Sequence, residues 1–437
     1  MIPSPPPDLG RPPRPLRLLV VSREIPRPDV SGGDRRLFEI LRLMASRHEV
    51  AFCAYVDPSA THGGQRHRGS LREAGVRVVP SCWLLGLERE LLRRIYDAVV
   101  FEFWHNAEPG VPLVRRAQPW ARVIVDSVDV QFLREAGGVA VGACDPITAS
   151  ANKRRELAAY RGADAVVCVS EEDAGHLKTE GGIARCPVVP LVIPPRDRTS
   201  RERGHELLFL GGFRHAPNVD GLLWFARHCW PAIRSDVPDA RLTVVGGDPT
   251  AEVSALVGLG GIEVVGHVPE TAPYLDRAAL MVAPLRFGAG LKSKVVEGLA
   301  GGLGVVTTMV GAQGLGAVSG EHLAVADSAE EFARSVVELL GDPDRARQMG
   351  QAGRRLVDDT CSPAAVSARL EAMLCDVVGR GGPGFPPIPW RVRSAKYGAR
   401  RIGSRIASAL GISLRHIGLT PRGPKTTRRP ESCGPRA

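Results

Sequence analysis

Short, unbroken apolar runs recur along the first half of the chain: LRLLVVS (16–22), HEVAFCAYV (48–56), VRVVPSC (76–82), YDAVVFEFW (96–104), ARVIVD (121–126) and ADAVVCVS (163–170). They do not alternate polar with apolar, so they read as strands buried on both faces, and helix-sized segments separate them. Strands alternating with helices predict a parallel sheet. The pattern breaks at PVVPLVIPPRDRTSRERG (187–204), where prolines and charge give the composition of an interdomain linker. It restarts with ELLFLGGF, a helix carrying Trp224 and Phe225, then RLTVVGGDP, IEVVGHVP, ALMVA (279–283) and GVVTT (304–308). HLAVADSAEEFARSVVELL reads as a strand and an amphipathic helix, and CSPAAVSARLEAMLCDVV as a final helix. Two α/β halves of similar size predict a cleft between them that buries a ligand.

The densest chemistry sits in residues 279–308. An apolar run breaks at Pro284 into a glycine-rich basic loop, a helical pattern resumes at Ser293, and a strand follows, making a βαβ unit. Gly288 and Gly290 let the backbone approach a ligand. Arg286, Lys292 and Lys294 put positive charge beside a helix N-terminus, which favours anions. A phosphate is the natural guest, with a ligand-free tight turn as the plain alternative. Glu297, one turn into the helix, offers an acceptor to sugar hydroxyls beyond that phosphate.

A second strand-loop-helix opens the chain and places Gly32 and Gly33 at its turn, without GxGxxG spacing. Arg35 and Arg36 follow, either to meet an anion or to coat the helix. Residues 121–135 run a strand into a polar edge of Asp126, Asp129, Gln131 and Arg134, where an open parallel sheet faces its ligand. Asp126 or Asp129 would equally serve as cap of the next helix, and Ser170 is the expected N-cap of the one after β-strand 163–170.

With 437 residues the chain is long for one core, and two α/β domains are expected. The net charge of +10 is localised. From residue 381 onward twelve Lys and Arg stand against Glu431 alone, which leaves 45 basic and 46 acidic residues before it. Nine cysteines are scattered singly, at 53, 82, 144, 168, 186, 229, 361, 375 and 433, without CxxC or metal-ligand spacing. This predicts a reducing compartment. The Pro-rich start lacks the apolar core of a signal peptide, and no apolar run approaches the roughly 18 residues of a membrane span, so a cytoplasmic body is expected.

In this order and spacing, PDVSGGDRRLFEILRLMA, VIVDSVDVQFLRE, LLFLGGFRHAPNVDGLLWF, LTVVGGDP, IEVVGHVPE and PLRFGAGLKSKVVEGLAGGLGVVTT resemble a group 1, family 4 glycosyltransferase, over residues 16 to 378. The resemblance implies an α/β GT-B fold: two Rossmann-like parallel-sheet domains facing across a cleft, with the C-terminal helix crossing back to the first. It implies retaining, metal-independent transfer of a sugar from a nucleotide-diphosphate donor to a hydroxyl acceptor, in polysaccharide or glycolipid assembly. No metal or cofactor is expected, since the nucleotide sugar is a substrate. Glu297 matches the glutamate that holds the nucleotide ribose. Arg286 and Lys292 fall where cations meet the diphosphate and, with Asp129, are the expected catalytic residues. Gly32, Gly33, Gly212, Arg214, Gly288, Gly290 and Lys294 would complete the donor site. His267 and Val268 lie by the expected base pocket. Three departures stand out. Ala289 occupies the place of a glutamate near the donor sugar. Gly212 and Pro217 stand where many members have Arg and Lys, with Arg214 a substitute. Gln131 replaces a histidine of close relatives and cannot shuttle a proton.

The expected organisation is a disordered leader (1–15), a first Rossmann-like acceptor-side domain (16–187), a linker (188–204), a nucleotide-sugar-binding domain (205–360), a return helix (361–378) and a basic flexible tail (379–437). The tail places Ile402, Ile406, Leu410, Leu414 and Ile417 at helical spacing among arginines, which fits either a peripheral contact with the inner face of a membrane or a solvated basic tail. Without an aromatic stacking platform it does not read as a nucleic-acid binder. Two other functions share the architecture: a nucleotide-sugar isomerase of the 2-epimerase kind, and a non-catalytic binding module.

Overall fold

The computed structural model describes residues 14–56, 62–80, 83–194 and 204–379. The expected leader up to residue 13, the linker from 195 to 203 and the basic tail from 380 lie outside them. Among these described residues, twelve strands form two six-stranded sheets, parallel throughout. The first holds β1 (Arg17–Ser22), β2 (Glu49–Ala54), β3 (Arg77–Val79), β4 (Ala98–Glu102), β5 (Arg122–Asp126) and β6 (Ala165–Val167). The second holds β7 (Glu206–Leu210), β8 (Arg241–Val245), β9 (Ile262–Gly266), β10 (Leu280–Ala283), β11 (Gly304–Thr307) and β12 (Ala324–Val325). Their orders are β3-β2-β1-β4-β5-β6 and β12-β11-β10-β7-β8-β9. Counted from its own first strand, each sheet is the same doubly wound arrangement. The winding direction reverses between β1 and β4 in one and between β7 and β10 in the other, and ligands of such sheets bind at the carboxyl ends of those strands.

The unbroken apolar runs have a direct cause. Leu19, Val21, Val99, Phe101 and Val123 pack on one face of the first sheet, and Leu18, Val20, Val100 and Ile124 on the other. Because successive side chains point to opposite faces, a sheet covered by helices on both sides makes every position apolar. The second sheet repeats this with Leu207, Phe209, Leu242 and Val244 on one side and Leu208, Leu210, Val245 and Met281 on the other.

The final helix, Pro363–Gly379, crosses back. Its Val366, Leu370, Met373, Leu374 and Val377 join the core of the first sheet, and Glu371 lies 3.1 Å from His48 Nε2. The helix before it, Pro343–Cys361, is the longest of the described helices at 19 residues and is missing from the sequence reading. Its polar composition hides it, although Asp342 accepts from Arg345 N and a proline follows at the first position, as at a regular helix start.

Arg36 turns inward and does not coat its helix. Its guanidinium is 2.6 Å from Asp126 Oδ2 and donates to the carbonyls of Val189 (2.9 Å) and Pro190 (3.4 Å). The side chains of Arg36 and Asp126 are almost wholly buried. One cation therefore joins the first helix, the end of β5 and the segment leading to the second domain. Asp126, so engaged, does not cap the helix Gln131–Ala140, and neither does Asp129; the buried Glu156 accepts from the N–H groups of Gln131 (2.9 Å) and Phe132 (2.8 Å) in their place. Replacing Arg36 by methionine leaves Asp126 buried without its partner and is expected to cost about 3–5 kcal/mol, measured by urea unfolding. A loss below about 1 kcal/mol would mean that the pair is not what joins these three segments.

Candidate active site

Two loops at the switch point of the second sheet and one from the first sheet form the cleft. After β10 comes the loop 284–292, and the helix Ser293–Ala300 starts with Lys292 at its N-cap position, without a side-chain cap. After β7 the helix Ala216–Trp224 starts in the same way, with His215 at the N-cap position and no side-chain cap. Helix starts leave backbone N–H groups without intrahelical partners, and each carries roughly half a positive charge. Both strands at the switch point thus lead into amino ends open to a ligand. From the first domain the helix Gly32–Ala45 arrives, capped by Ser31, which accepts from Asp34 N at 3.1 Å.

Two contacts show how the helices meet. A Cβ placed on Gly32 would lie 2.5 Å from Ser293 Oγ, so only glycine permits this approach. One turn on, Arg35 Nη1 lies 3.0 Å from Glu297 Oε1. First residue meets first residue and second turn meets second turn, so the amino ends of the two helices lie together. Gly290 makes a further join between the domains. Its φ of +67° is a left-handed conformation, and a Cβ there would be 3.1 Å from Val169 Cγ2 and 3.3 Å from Asp129 Cβ. Gly33 directs no such contact, having only Ser31 Oγ at 4.0 Å.

The cations are placed unequally. Lys292 is buried and donates to Gly290 O at 2.6 Å; burial pushes its ammonium down to about 8, against the pull of Asp173, Glu172 and Asp129. Lys294 is buried below the loop, hydrogen-bonded to Asn218 Oδ1 and 4.7 Å from the centre of the Phe209 ring. Burial, with the charge of Lys292, pushes Lys294 down to about 7. Arg286 forms a two-pronged pair with Asp220, its Nε at 2.8 Å. Arg214 is exposed and pairs with Asp248 at 2.7 Å, beside the equally exposed Gly212. Asp129 is held by Arg134, and burial pushes its carboxyl up. Gln131 is fixed between Trp104 Nε1 (2.9 Å) and Glu135 (2.6 Å).

Arg35, Arg134 and Ser170 were named from the sequence, and Ser170 caps its helix as expected, whereas His215, Glu172, Asp173 and His176 were not singled out. His215, at the N-cap position of the helix Ala216–Trp224, keeps an exposed surface, yet the protein atoms crowded around it and then the charges of Arg134, Lys294 and Lys292 push its imidazole down. Arg134 lies within reach of that field, and Arg35 spans the domains. Ser170, Glu172, Asp173 and His176 face the loop 286–290 across a cavity of about 200 Å³. The usable signal was VSEED at the carboxyl end of β6, an edge position equivalent to that of Asp126.

Residues 204–342 match the family model of group 1 glycosyl transferases. Over 139 residues the chain is 24% identical to an uncharacterised 44.6 kDa protein of the cps region of Klebsiella pneumoniae, which covers 30% of this chain and about a third (36%) of that relative. Among solved structures it superposes on sucrose-phosphate synthase of Thermosynechococcus elongatus with a TM-score of 0.66 at 16% identity, over 83% of this chain and 99% of that one. It superposes on Anabaena HepE, crystallised with UDP and glucose, with a TM-score of 0.62 at 12% identity, over 83% and 100%. A glycosyltransferase of Rickettsia africae gives 0.63 at 13%, over 84% and 100%. The fold is therefore GT-B, and residues 204–342, about a third of the chain, carry the match to the group 1 glycosyl transferases.

Proposed function

We propose that the protein is a retaining, metal-independent glycosyltransferase that moves a sugar from a nucleotide-diphosphate donor to a hydroxyl acceptor, in polysaccharide or glycolipid assembly on the cytoplasmic side of a membrane. The observation that carries this reading is the joining of the two amino ends at Gly32 and Ser293, beside Lys292 and below the uncapped start at His215. Such a place suits two linked phosphates. The relative from a cps region and the UDP-bound neighbour support the same direction.

In this reading the bond between the anomeric carbon and the phosphate oxygen breaks, and the electron pair stays on the diphosphate. Fixed N–H groups and the ammonium of Lys292 hold that charge as it develops, which is electrostatic catalysis without a reorganising solvent. Arg286, released from Asp220, adds a second cation. Asp129 orients Arg134 towards the phosphates. The acceptor hydroxyl attacks from the same face and passes its proton to the departing phosphate oxygen, so Gln131 need not act as a base. Glu297 takes the ribose hydroxyls in exchange for Arg35, and the Gly212–Arg214 turn lines the donor from the β7 side. Gly32, Gly33, Gly288 and Gly290 keep the backbone close enough to reach the phosphates, while Lys294 acts from below on the field.

Incubation with UDP-glucose, GDP-glucose and ADP-glucose is expected to give slow hydrolysis of at least one, read as released nucleoside diphosphate. Lys292→Ala and Glu297→Ala should lower kcat/KM by about 100-fold or more, the scale of one lost oxyanion donor. Absence of turnover together with absence of binding to UDP, GDP and ADP would exclude the reading. The two lysines add a pH dependence. With folded-state values of about 7 and about 8 they are cationic below that window and neutral above it. Calorimetric affinity for the same nucleoside diphosphate should therefore be highest near pH 6 and fall as pH rises through about 7 and then about 8, and Lys294→Met should flatten the lower part of that fall. An affinity that rises with pH would show that the lysines do not face the phosphates.

A further inference from the structure

The cavity of about 200 Å³ beside the loop 286–290 is unevenly equipped. Its second-domain wall is made largely of Phe287, Gly288, Ala289 and Gly290, with Arg286 committed to Asp220 and Gln313 at the edge. A hydroxyl-bearing ligand finds almost no acceptor side chain there. The opposite wall, from the first domain, carries Glu172, Asp173 and His176. His176 is already bonded to Glu180 at 2.9 Å. Asp173 differs from its neighbours. It is only 4% exposed, and its Oδ2 is buried with no hydrogen-bond partner. Burying a carboxylate oxygen without a donor is costly unless a ligand hydrogen bond satisfies it. Its backbone N–H is spent on Ser170 Oγ at 3.1 Å, and the helix Glu171–Thr179 fixes its place.

The cavity adjoins the loop proposed to hold the diphosphate, so what occupies it is whatever is attached to the phosphates. We infer that Asp173, from the first domain, is the specificity-determining carboxylate for the donor sugar, accepting hydrogen bonds from its ring hydroxyls across the cleft from Ala289. The terminal torsion of an aspartate is broad, so a small rotation presents either oxygen to the cavity. Glu172 supplies a second acceptor at the cavity mouth; burial pushes the Asp173 carboxyl up, and the positive charge of Lys292, which reaches both carboxylates, opposes that shift and links the sugar end of the site to the phosphate end. The ligand class follows from the chemistry: an uncharged sugar rich in hydroxyl groups and of monosaccharide size. A sugar bearing a carboxylate would meet Asp173 and Glu172 as like charges.

This inference rests on the donor reading above, and the experiment separates the two. Affinities of the full chain are measured calorimetrically for UDP, GDP and ADP and for their glucose conjugates, in the wild type and in Asp173→Asn. The conservative change keeps the shape and removes the charged acceptor. The expected result is an unchanged affinity for the nucleoside diphosphate, within about twofold, with a 10-fold or greater loss for the nucleotide sugar and a matching rise in KM for its hydrolysis. Because Asp173 sits in the first turn of its helix, thermal melting accompanies each measurement, and the double variant Asp173→Asn/Ala289→Glu tests rescue by a carboxylate from the other wall. Sugar-dependent affinity should return in it. Equal losses for nucleotide and nucleotide sugar, no loss for either, or failure of the rescue in a folded double variant would overturn the assignment while leaving the donor reading intact. A wild type that binds none of the six compounds would overturn both.

Discussion

Two helix amino ends meeting at one point is the constraint on which the rest of the molecule depends. Like ends of helix dipoles repel, and here the two ends are brought to contact at Gly32 and Ser293, with Lys292 buried at the same place. The carboxylates of Glu297, which pairs with Arg35, and of Asp34 in the first turn of the helix Gly32–Ala45 offset part of that repulsion in the free protein. An anion between the two ends removes it. The same arrangement that is electrostatically costly when empty suits the doubly charged, extended group of the proposed donor, a diphosphate.

The scaffold exists to hold those ends in register. Each sheet winds in the same order and reverses at its first and fourth strands; the first sheet delivers the start of the helix Gly32–Ala45 to the cleft, and the second delivers the starts of Ala216–Trp224 and Ser293–Ala300. Arg36 then joins the first helix to β5 and to the segment entering the second domain, and the final helix returns to the core of the first sheet through Leu370, Met373 and Leu374. Side chains are kept out where the domains touch, at Gly32 and Gly290 among other glycines, so the cleft is closed by missing side chains as much as by any charged group.

Legibility in the sequence followed locality. The strands were readable because burial on both faces leaves an apolar run that needs no partner to interpret. The β10 loop was readable because its glycines, cations and Glu297 lie within a dozen residues. What two distant segments make together was not. That Arg36 is spent on Asp126, that Arg35 reaches Glu297, and that Glu156 caps the helix expected to be capped by Asp126 or Asp129 are facts of tertiary approach. Charge on a helix face reads as solvated until a buried partner appears. Arg286, Arg214 and Lys294 illustrate the converse: cations placed by sequence at the phosphates are each paired, with Asp220, Asp248 and Asn218, in the free protein. The polar helix Pro343–Cys361 was hidden by composition, since too few apolar positions mark its buried side.

The most direct test of this account is a crystal structure of the full chain with whichever of UDP, GDP or ADP binds it. The account predicts both phosphates between the start of the helix Gly32–Ala45 and the start of the helix Ser293–Ala300, within hydrogen-bond reach of Lys292 and the backbone of 288–294, and the ribose against Glu297. Phosphates bound elsewhere, for example in the polar groove between Glu206, Arg241 and Arg277 at the opposite ends of the strands, would contradict it.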